Sequence, residues 1–411
     1  MLGKINLVKL FSLAAIIVFF ATFVNKVFAS DIIPIPTKPQ QPIITPASPI
    51  LNASSYILID ATSGKILAEK NADEKLPPAS LTKLMTLYII AGALKNGSIK
   101  LEDPVRVSKK AWQTDGSRMF IKAGDEVPVS ELLKGIVVAS GNDATVAMSE
   151  FIAGTEDAFT SVMNSQAKQL GMNDSHFTDS TGLPHPDHYS TARDFAVLAK
   201  ALHKDFPDSY KLFSEKWFAY KGIKQPNRNR LLWRYKYADG LKTGYTSEAG
   251  YCLVASAEKD NMRLISVIMG SPSDESRTED SMRLLTYGFR FYETNKLYDP
   301  GTVLTKARTW NGVKKEVPMG ITNEMYVTAP TGQFKNLKAE IKLDEPIYAP
   351  IQKGKKYGTL NVVLGKKVIA SRPIVALSDN QEGGTWRRIN DSVGYHYNKF
   401  FTRKVEKANN G

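Results

Sequence analysis

The sequence predicts an α/β fold: a first domain in which a sheet is flanked by a helical region, then a small all-β sandwich domain and a C-terminal amphipathic helix. Strand-like runs stand on both sides of a long stretch with helical periodicity, which gives the first domain the order strands, helices, strands. Short β-rich runs follow it, separated by Gly, Pro, Asp and Asn, with no helical period. The 411 residues exceed what one typical core organises, so two domains are expected.

Residues 1–29 have the three-part layout of a secretory signal peptide. Lys4 and Lys9 precede an uncharged run over 10–24, and Val-Phe-Ala before Ser30 offers small residues for cleavage. The run is shorter than the roughly 20 residues of a usual membrane span. We therefore expect cleavage and export, with an uncleaved anchor as the alternative.

Charge and cysteine content set further limits. Removal of residues 1–29 would delete three lysines and no acidic residue, so the net charge would fall from +13 to +10. This charge suits association with an anionic membrane surface or polymer, although many soluble exported proteins are equally basic. Cys252 is the only cysteine, so no disulfide can form within the chain, and the fold must depend on its core despite the exported location.

The first domain is predicted over 51–295, after a proline-rich linker at 30–50. Periodicity and turn residues place its elements in chain order. These are a strand hairpin around Thr62-Ser63-Gly64, a mainly helical region at 81–215, two strands within 236–270 joined at Lys259-Asp260-Asn261, and a helix near 278–293.

The β-sandwich domain is predicted over 296–378, from runs such as "NEMYVTA" and "GTLNVVLG". A linker at 379–385 leads to a tail at 386–405 in which apolar residues recur at spacings of three and four, with Arg and Lys among them. This is the layout of a helix that lies in a membrane interface, and docking on the β domain is the alternative. The apolar positions are Trp386, Ile389, Val393, Tyr397, Phe400 and Phe401.

A serine and a lysine open an otherwise apolar helix in "PPASLTKLMTLYII" at 77–90. Ser80 and Lys83 are three residues apart and face the same side of a helix. The apolar surroundings leave hardly any polar face, so Lys83 is expected to be buried, which lowers the pKa of its amine towards that of a useful base. A serine hydroxyl becomes a good nucleophile only when a base accepts its proton. Ser80 is therefore a candidate nucleophile and Lys83 its candidate base.

The spacing Ser-x-x-Lys is a weak signal by itself, because it occurs three times. Ser165 and Lys168 lie on an amphipathic helix whose lysine is expected to face solvent. Lys259, three residues after Ser256, lies in a hairpin turn. We expect both of these pairs to be incidental.

Two further triplets follow Ser80 in a specific order. Ser-Gly-Asn at 140–142 comes after an apolar run, and Lys-Thr-Gly at 242–244 opens the later strand region. Either triplet alone is ordinary turn composition, but the order and spacing of all three motifs are specific. A Ser-Asp-Asn triplet also occurs at 378–380, after Lys-Thr-Gly, where we expect a polar linker.

These motifs resemble those of the serine DD-peptidases and class A β-lactamases, whose signature is S-x-x-K, S-D-N or S-G-N, and K-T-G. The stretches "NRNRLLW", "DGLKTGYT", "AGYCLVASAE" and "TGLPHPDHYSTARD" resemble the low-molecular-mass penicillin-binding proteins that are serine-type D-alanyl-D-alanine carboxypeptidases. The resemblance covers residues 51–405 approximately, and it implies a DD-peptidase-like first domain that needs no cofactor or metal.

The resemblance also implies catalytic roles. Ser80 attacks the carbonyl between the two terminal D-alanines of a cell-wall peptide, and Lys83 accepts the proton of Ser80. Ser140 relays a proton towards the leaving amine, and Lys242 holds Ser140 electrostatically. Asn142 binds a substrate amide and helps to fix the lysine base.

A second group of residues is implied to bind substrate. The N–H of Tyr245 and that of the nucleophile would form the oxyanion hole. The terminal carboxylate needs hydroxyl groups and cations, and arginine suits it bidentately. Tyr245 departs from the family, which often has histidine after K-T-G, and this change bears on turnover and substrate preference but not on the reaction class. The substrate-binding positions are Thr243, Gly244, Tyr245, Arg228 and Arg277.

Three other classes of protein are alternatives to a carboxypeptidase. A class A β-lactamase needs a glutamate for deacylation, and the corresponding loop offers Asp187 and Asp194 instead. A zinc hydrolase could use His176, His185, Asp187 and His188, but H-E-x-x-H is absent. A wall-binding protein that has lost activity would not need the intact motifs.

The predicted function is removal of the terminal D-alanine from peptidoglycan pentapeptides during cell-wall remodelling and control of cell shape. Predicted partners are stem peptides ending in D-Ala-D-Ala, β-lactams as covalent inhibitors, and the inner-membrane surface, with no nucleic acid. The predicted location is the periplasmic face of the inner membrane. Endopeptidase action on cross-links stays open, because the motifs do not distinguish it from carboxypeptidase action.

Overall fold

The computed structural model describes residues 45–389 and residue 391. The predicted signal peptide, most of the proline-rich linker and most of the tail helix lie outside these residues. The described part of the linker, 45–50, has no regular secondary structure. Within the described chain, no helix combines the length and the apolar character that crossing a membrane requires.

The first domain is built on five strands from its two ends, which are β1 (Ser55–Asp60), β2 (Ile66–Lys70), β7 (Ala238–Thr246), β8 (Gly250–Lys259) and β9 (Met262–Ser271). They form one antiparallel sheet in the order β2-β1-β9-β8-β7. The β8–β9 hairpin turns at Asp260 and Asn261, whose positive φ angles of 50° and 63° are those of a tight hairpin turn. The order strands, helices, strands is confirmed.

The helices of this domain lie mainly between β2 and β7. They are α1 (Lys83–Lys95), α2 (Lys109–Gln113), α3 (Val129–Lys134), α4 (Asn142–Ala153), α5 (Glu156–Leu170), α6 (Ala192–Asp205), α7 (Pro207–Tyr210), α8 (Leu231–Arg234) and α9 (Asp274–Phe291). Two short hairpins interrupt them, β3 (Pro104–Arg106) with β4 (Glu126–Pro128) and β5 (Trp217–Tyr220) with β6 (Ile223–Pro226). Short 3-10 turns span Ala79–Thr82 and Lys211–Ser214, and a π-helix spans Gly135–Ala139.

The central sheet is covered on both faces. Alternate side chains of β1 enter different cores, because successive residues of a strand point to opposite faces. Ile57 and Ile59 join the core of the helical region, whereas Tyr56 and Leu58 join a second core that includes Leu284 of α9. Every residue of β1 is therefore buried, which explains the continuous apolar run from Tyr56 to Ile59.

The second domain contains strands only, apart from a 3-10 turn at Phe334–Asn336. A two-stranded sheet, β10-β13, and a six-stranded sheet, β14-β16-β17-β12-β11-β15, share an apolar core that includes Met319, Val327 and Leu360. The all-β prediction is confirmed, and the boundary predicted at residue 295 falls inside β10. The strands are β10 (Tyr292–Tyr298), β11 (Val303–Trp310), β12 (Glu316–Gly320), β13 (Met325–Pro330), β14 (Leu337–Leu343), β15 (Ile347–Tyr348), β16 (Lys356–Leu364) and β17 (Lys367–Ala376).

The segment after β17 is bonded to the second domain. Asn380 is buried, and its side-chain amide donates to the carbonyl of Lys314 while its oxygen accepts the Lys314 N–H, both at 2.9 Å. Asp391 accepts the N–H of Asn311 at 2.9 Å. The polar linker expected at the Ser-Asp-Asn triplet is thus tied to this domain, because Asn380 finds its partners in a turn far away in sequence.

Candidate active site

Ser80 lies in a tightly packed turn before α1. The residue before it, Ala79, has the positive φ of 47°, which a non-glycine residue adopts only when its surroundings hold it there. Two glycines provide the close packing. A Cβ on Gly182 would lie 1.8 Å from the Ala79 carbonyl oxygen, and a Cβ on Gly244 of β7 would lie 3.0 Å from the Pro78 oxygen. The turn that contains Ser80 is therefore held between a loop and the edge strand of the sheet.

Lys83 is fully buried directly beside Ser80. Its Nζ donates to Ser80 Oγ at 2.8 Å, to Asn142 Oδ1 at 2.6 Å and to the Thr181 carbonyl at 2.8 Å. Burial lowers the pKa of this amine to about 7, which the Asp179 carboxylate opposes and the cation of Arg228 assists. Near neutral pH a large fraction of Lys83 is thus uncharged and able to accept the Ser80 proton.

Ser140 and Lys242 form a second serine–lysine pair. The π-helix ends at Ser140, whose left-handed conformation with φ of 58° turns the chain into α4. Lys242 of β7 donates to Ser140 Oγ and to the Thr243 carbonyl, both at 2.9 Å. Burial lowers the pKa of Lys242 well below its ordinary value, and the nearby cations, Lys83 first among them, lower it further.

Asp143, which the sequence analysis did not single out, shapes the loop that faces Ser80 and Ser140. Its carboxylate accepts the backbone N–H groups of Met119 at 3.0 Å, Phe120 at 2.9 Å and Ile121 at 3.3 Å. Asn142 Nδ2 donates to the Asp115 carbonyl of the same loop. An acidic residue in the first turn of α4 was the only available signal, and it usually indicates no more than a favourable helix start.

The loop at 179–188 supports Lys83 through backbone and side-chain contacts. Asp179 accepts the Gly182 N–H at 2.7 Å and the Thr181 hydroxyl at 2.7 Å, which fixes the carbonyl that receives Lys83. His188, one of the four residues of the zinc alternative, is buried and lies between Asp179 Oδ2 at 3.1 Å and the Thr82 hydroxyl at 2.9 Å. Although burial opposes it, the hydrogen bond and charge of His188 hold the pKa of Asp179 below its ordinary value.

Two other zinc candidates, His176 and His185, are hydrogen-bonded to the backbone of the fourth, Asp187. His176 Nδ1 lies 2.7 Å from the Asp187 carbonyl, and His185 Nδ1 accepts the Asp187 N–H at 3.1 Å. In the described part of the chain, no group of three or more His, Cys, Asp or Glu side chains is arranged to hold a metal ion.

Arg277 of α9 is buried and bonded to backbone carbonyls of both β7 and β8. Its Nη1 donates to Gly244 at 2.8 Å and to Cys252 at 3.2 Å, and its Nη2 pairs with Asp274. The C=O of Gly244 and the N–H of Tyr245 belong to one planar trans peptide and point in opposite directions. With the carbonyl directed at Arg277, the Tyr245 N–H is directed to the other side of the strand. The sequence analysis expected Arg277 to bind the substrate carboxylate, and the structure places its guanidinium at the cleft, bonded to these carbonyls and to Asp274.

A cleft of about 410 Å³ lies over these residues. Seven predicted residues line it, whereas Lys83, Asn142 and Lys242 are buried beneath its floor. Arg228 is exposed on its wall and forms no hydrogen bond or ion pair to any described residue, while Tyr245 is 55% exposed and its ring lies 4.3 Å from that of Tyr251. The lining residues are Ser80, Ser140, Arg228, Thr243, Gly244, Tyr245 and Arg277, together with the unpredicted Ser117, Pro226, Asn227, Arg230, Tyr251 and Asp274.

The other Ser-x-x-Lys pairs have no such setting. Lys168 is exposed on α5, and the Ser165 hydroxyl accepts a hydrogen bond from Gln169 at 3.4 Å. Ser256 is buried but accepts a hydrogen bond from Arg263 at 2.7 Å, while Lys259 lies at the turn beside Asp260. Neither lysine contacts the serine of its own pair.

The fold and the cleft define a serine hydrolase. The Ser80 hydroxyl is bonded to Lys83, a buried lysine whose pKa is lowered, and a second serine–lysine pair lies next to them. Acyl transfer to serine requires such an activated hydroxyl. The comparisons with known proteins give the family. Residues 42–273 match the D-alanyl-D-alanine carboxypeptidase family and residues 292–382 match the C-terminal domain of penicillin-binding protein 5. The chain belongs to the D-alanyl-D-alanine carboxypeptidase family, and it is a serine-type carboxypeptidase.

Relatives and solved structures agree with this membership. D-alanyl-D-alanine carboxypeptidase DacC of Escherichia coli is 46% identical over 365 residues, covering 87% of this chain and 91% of the relative. Penicillin-binding protein 5 of Haemophilus influenzae has a TM-score of 0.80 at 41% identity, covering 82% of this chain and all of that one. The ampicillin-bound penicillin-binding protein D2 of Listeria monocytogenes has a TM-score of 0.55 at 30% identity and covers 59% of this chain and all of that one.

Proposed function

We propose that this carboxypeptidase removes the terminal D-alanine from peptidoglycan pentapeptides through an ester on Ser80. The hydrogen bond of 2.8 Å between Lys83 Nζ and Ser80 Oγ, inside a buried site, is the observation that carries the proposal. Lys83 accepts the hydroxyl proton, Ser80 Oγ attacks the carbonyl of the penultimate D-alanine, and the C–N bond breaks. The nitrogen leaves as free D-alanine, and water then hydrolyses the ester.

The second pair serves the leaving group. Ser140 relays the proton towards the departing nitrogen, and Lys242, bonded to Ser140 Oγ at 2.9 Å, orients that hydroxyl. The substrate carboxylate, once bound near Lys242, raises the pKa of the depressed amine, because an opposite charge favours the ammonium form. Substrate binding thus favours the protonated form of Lys242 at the stage when Lys242 acts electrostatically on Ser140.

The oxyanion hole consists of the N–H groups of Ser80 and Tyr245. Arg277 supports this role, because its bond of 2.8 Å to the Gly244 carbonyl fixes the peptide plane that contains the Tyr245 N–H. Thr243 and Arg228, which forms no ion pair with any described residue, bind the terminal carboxylate, and Arg277, which also lines the cleft, contributes its charge. Asn142 holds Lys83 in place, and its side-chain amide forms a hydrogen bond with an amide of the substrate.

Penicillin labelling tests the nucleophile. A β-lactam amide takes the place of the D-Ala-D-Ala bond, so penicillin should form an ester on Ser80 that mass spectrometry locates. Ser80→Ala should abolish the adduct, whereas the matched controls Ser165→Ala and Ser256→Ala should retain it. An adduct that persists in Ser80→Ala would reject the assignment, and rapid release of a hydrolysed penicillin would favour the β-lactamase alternative.

We also propose that the protein is exported and held at the periplasmic face of the inner membrane by the tail helix at 386–405. The described start of the tail supports this, because Trp386 is 81% exposed and Ile389 is 50% exposed. Asp391 is bonded to the second domain, so a chain truncated after Asp391 keeps that domain intact. The truncated chain, with Trp386 and Ile389 also changed to Ala, should release D-alanine normally but lose binding to anionic vesicles. Vesicle binding equal to that of the full-length protein would exclude the tail as the anchor.

A further inference from the structure

A buried imidazole lies close to the catalytic residues but does not line the cleft. His188 is 2% exposed, and the ring of Phe177 packs edge-on against it with the centroids 5.8 Å apart. Its Nε2 lies 2.9 Å from the Thr82 hydroxyl. Its Nδ1 lies 3.1 Å from Asp179 Oδ2 and 3.1 Å from the Thr178 hydroxyl. Both ring nitrogens therefore have partners within the protein, and the proposed proton transfers do not use this ring.

The two nitrogens face two different segments of the active site. Thr82 is fully buried in the 3-10 turn that contains Ser80, and it immediately precedes Lys83. Asp179 lies in the loop at 179–188, where the Thr181 carbonyl accepts a hydrogen bond from Lys83 Nζ at 2.8 Å. The imidazole thus joins the turn that carries the nucleophile to the loop that supports the base.

Asp179 orients both the imidazole and that carbonyl. Its Oδ1 accepts the N–H groups of Thr181 and Gly182, each at 2.7 Å, and its Oδ2 faces His188 Nδ1. An ionised carboxylate can only accept hydrogen bonds, so it favours the tautomer of His188 that carries its proton on Nδ1. The Nε2 of that tautomer accepts the proton of the Thr82 hydroxyl. One carboxylate therefore fixes the ring and the peptide that holds Lys83.

Asp179 also acts on Lys83 through its charge. Burial lowers the pKa of Lys83 to about 7, while the carboxylates of Asp179 and Asp143 raise it and the guanidinium of Arg228 lowers it. The other buried amine, Lys242, is in turn destabilised as a cation by Lys83. Removal of the Asp179 charge would therefore leave more of Lys83 uncharged at a given pH.

We propose that His188 is a positioning residue for acylation, which ties the turn of Ser80 to the loop that supports Lys83. This inference rests on the proposed function. The hydroxyl and the amine must stay within hydrogen-bond distance for the proton to pass, and the bridge fixes the two segments on which that distance depends. Without the bridge the substrate still binds, but the Ser80 proton is transferred more slowly.

The test separates the two ends of the bridge. The side-chain amide of asparagine reaches the position of Nδ1, so His188→Asn keeps a partner for Asp179 and loses Thr82. The side-chain amide of glutamine reaches the position of Nε2, so His188→Gln keeps Thr82 and loses Asp179. Stopped-flow kinetics with a fluorescent penicillin measure the rate constant of acylation and the Kd of the complex that precedes it. Each variant should lower the rate constant roughly tenfold, as expected for one lost hydrogen bond, and leave the Kd unchanged.

Thr82 gives an independent test that leaves the imidazole in place. Thr82→Val removes the hydroxyl with little change in volume and should slow acylation as much as His188→Asn does. Thr82→Ser retains the hydroxyl and should keep most of the wild-type rate. The double variant of Thr82→Val and His188→Asn should be no slower than either single variant, because both remove the same contact. If the His188 variants do not fold, the comparison of Thr82→Val with Thr82→Ser decides the matter.

The pH profile of acylation distinguishes positioning from an effect of charge. His188→Asn retains the Asp179 charge, so its midpoint should stay near 7 while its rate falls at every pH. Asp179→Asn removes the charge that raises the pKa of Lys83, so its midpoint should move below 7. The matched control is His203→Gln, which changes a half-buried histidine of α6 packed on Tyr210 and should alter neither quantity.

The outcomes that overturn the inference are specific. A wild-type rate constant in folded Thr82→Val and His188→Asn, a loss confined to the Kd, or a midpoint that moves in His188→Asn would each reject the positioning role. Failure of the wild-type protein to form a penicillin ester on Ser80 would instead reject the proposed function.

Discussion

Replacing Asn142 with aspartate should move the pH dependence of acylation to higher pH. Asn142 Oδ1 lies 2.6 Å from Lys83 Nζ, so Asn142→Asp puts a carboxylate against the amine without a change in size. An opposite charge at this distance raises a lysine pKa by roughly one to three pH units. The pKa of Lys83, about 7 in the wild type, would then rise to roughly 8–10.

The size of the effect follows from the neutral fraction of Lys83. With a pKa of about 7, half of the Lys83 amines are neutral at pH 7. With a pKa of roughly 8–10, the neutral fraction at pH 7 falls to roughly one in ten to one in a thousand. Acylation at pH 7 should therefore fall between roughly fivefold and 500-fold, and recover above the new midpoint.

Stopped-flow acylation by a fluorescent penicillin from pH 5 to 10 measures this midpoint. The wild-type rate should rise with pH and level off above about 7, since the neutral amine is the active form. Asn142→Ala, which removes the oxygen and adds no charge, should not raise the midpoint. If Asn142→Asp slows acylation equally at every pH, Lys83 does not titrate as the base.

Three further predictions concern single positions. Lys83→Arg keeps the charge but cannot deprotonate, so its acylation rate should be nearly as low as that of Lys83→Ala, and near-normal labelling would exclude the base role. Gly182→Ala should slow acylation and lower the free energy of unfolding, because its Cβ would lie 1.8 Å from the Ala79 oxygen. The control is Gly171→Ala, since Gly171 has a similar positive φ but open space around it. This control should lower the free energy of unfolding by only about 1 kcal/mol and leave penicillin labelling intact. A denaturation series compares the two, and equal effects would refute the packing argument. Tyr245→His should change the rate of D-alanine release yet still form the penicillin ester, because the N–H of residue 245 is retained; loss of the ester would assign the side chain an essential role.

The sequence was sufficient for the parts of the site that depend on local spacing. Ser80 and Lys83 meet because residues three apart on a helix share a face, and the apolar surroundings of Lys83 indicated its burial. The central hairpins were recognisable because Gly64, Asp260 and Asn261 are residues that tolerate positive φ angles. These features are encoded within a few residues.

Contacts between distant segments could not be predicted. The Thr181 carbonyl accepts a hydrogen bond from Lys83, and no residue type in the sequence indicates such a role for a backbone group. Arg277 was recognised as a cation near the site, but its bonds to the Gly244 and Cys252 carbonyls depend on how α9 meets the sheet. Asn380 resembled linker sequence, yet it is buried because its partner Lys314 approaches from another turn.

Release of D-alanine from a pentapeptide ending in D-Ala-D-Ala is the most direct test that the protein is a carboxypeptidase with Ser80 as its nucleophile. The wild-type protein should release one D-alanine per pentapeptide, Ser80→Ala should release none, and EDTA should not change the wild-type rate. Release by Ser80→Ala at the wild-type rate would contradict Ser80 as nucleophile. Loss of release in EDTA with normal penicillin labelling would favour the zinc alternative instead.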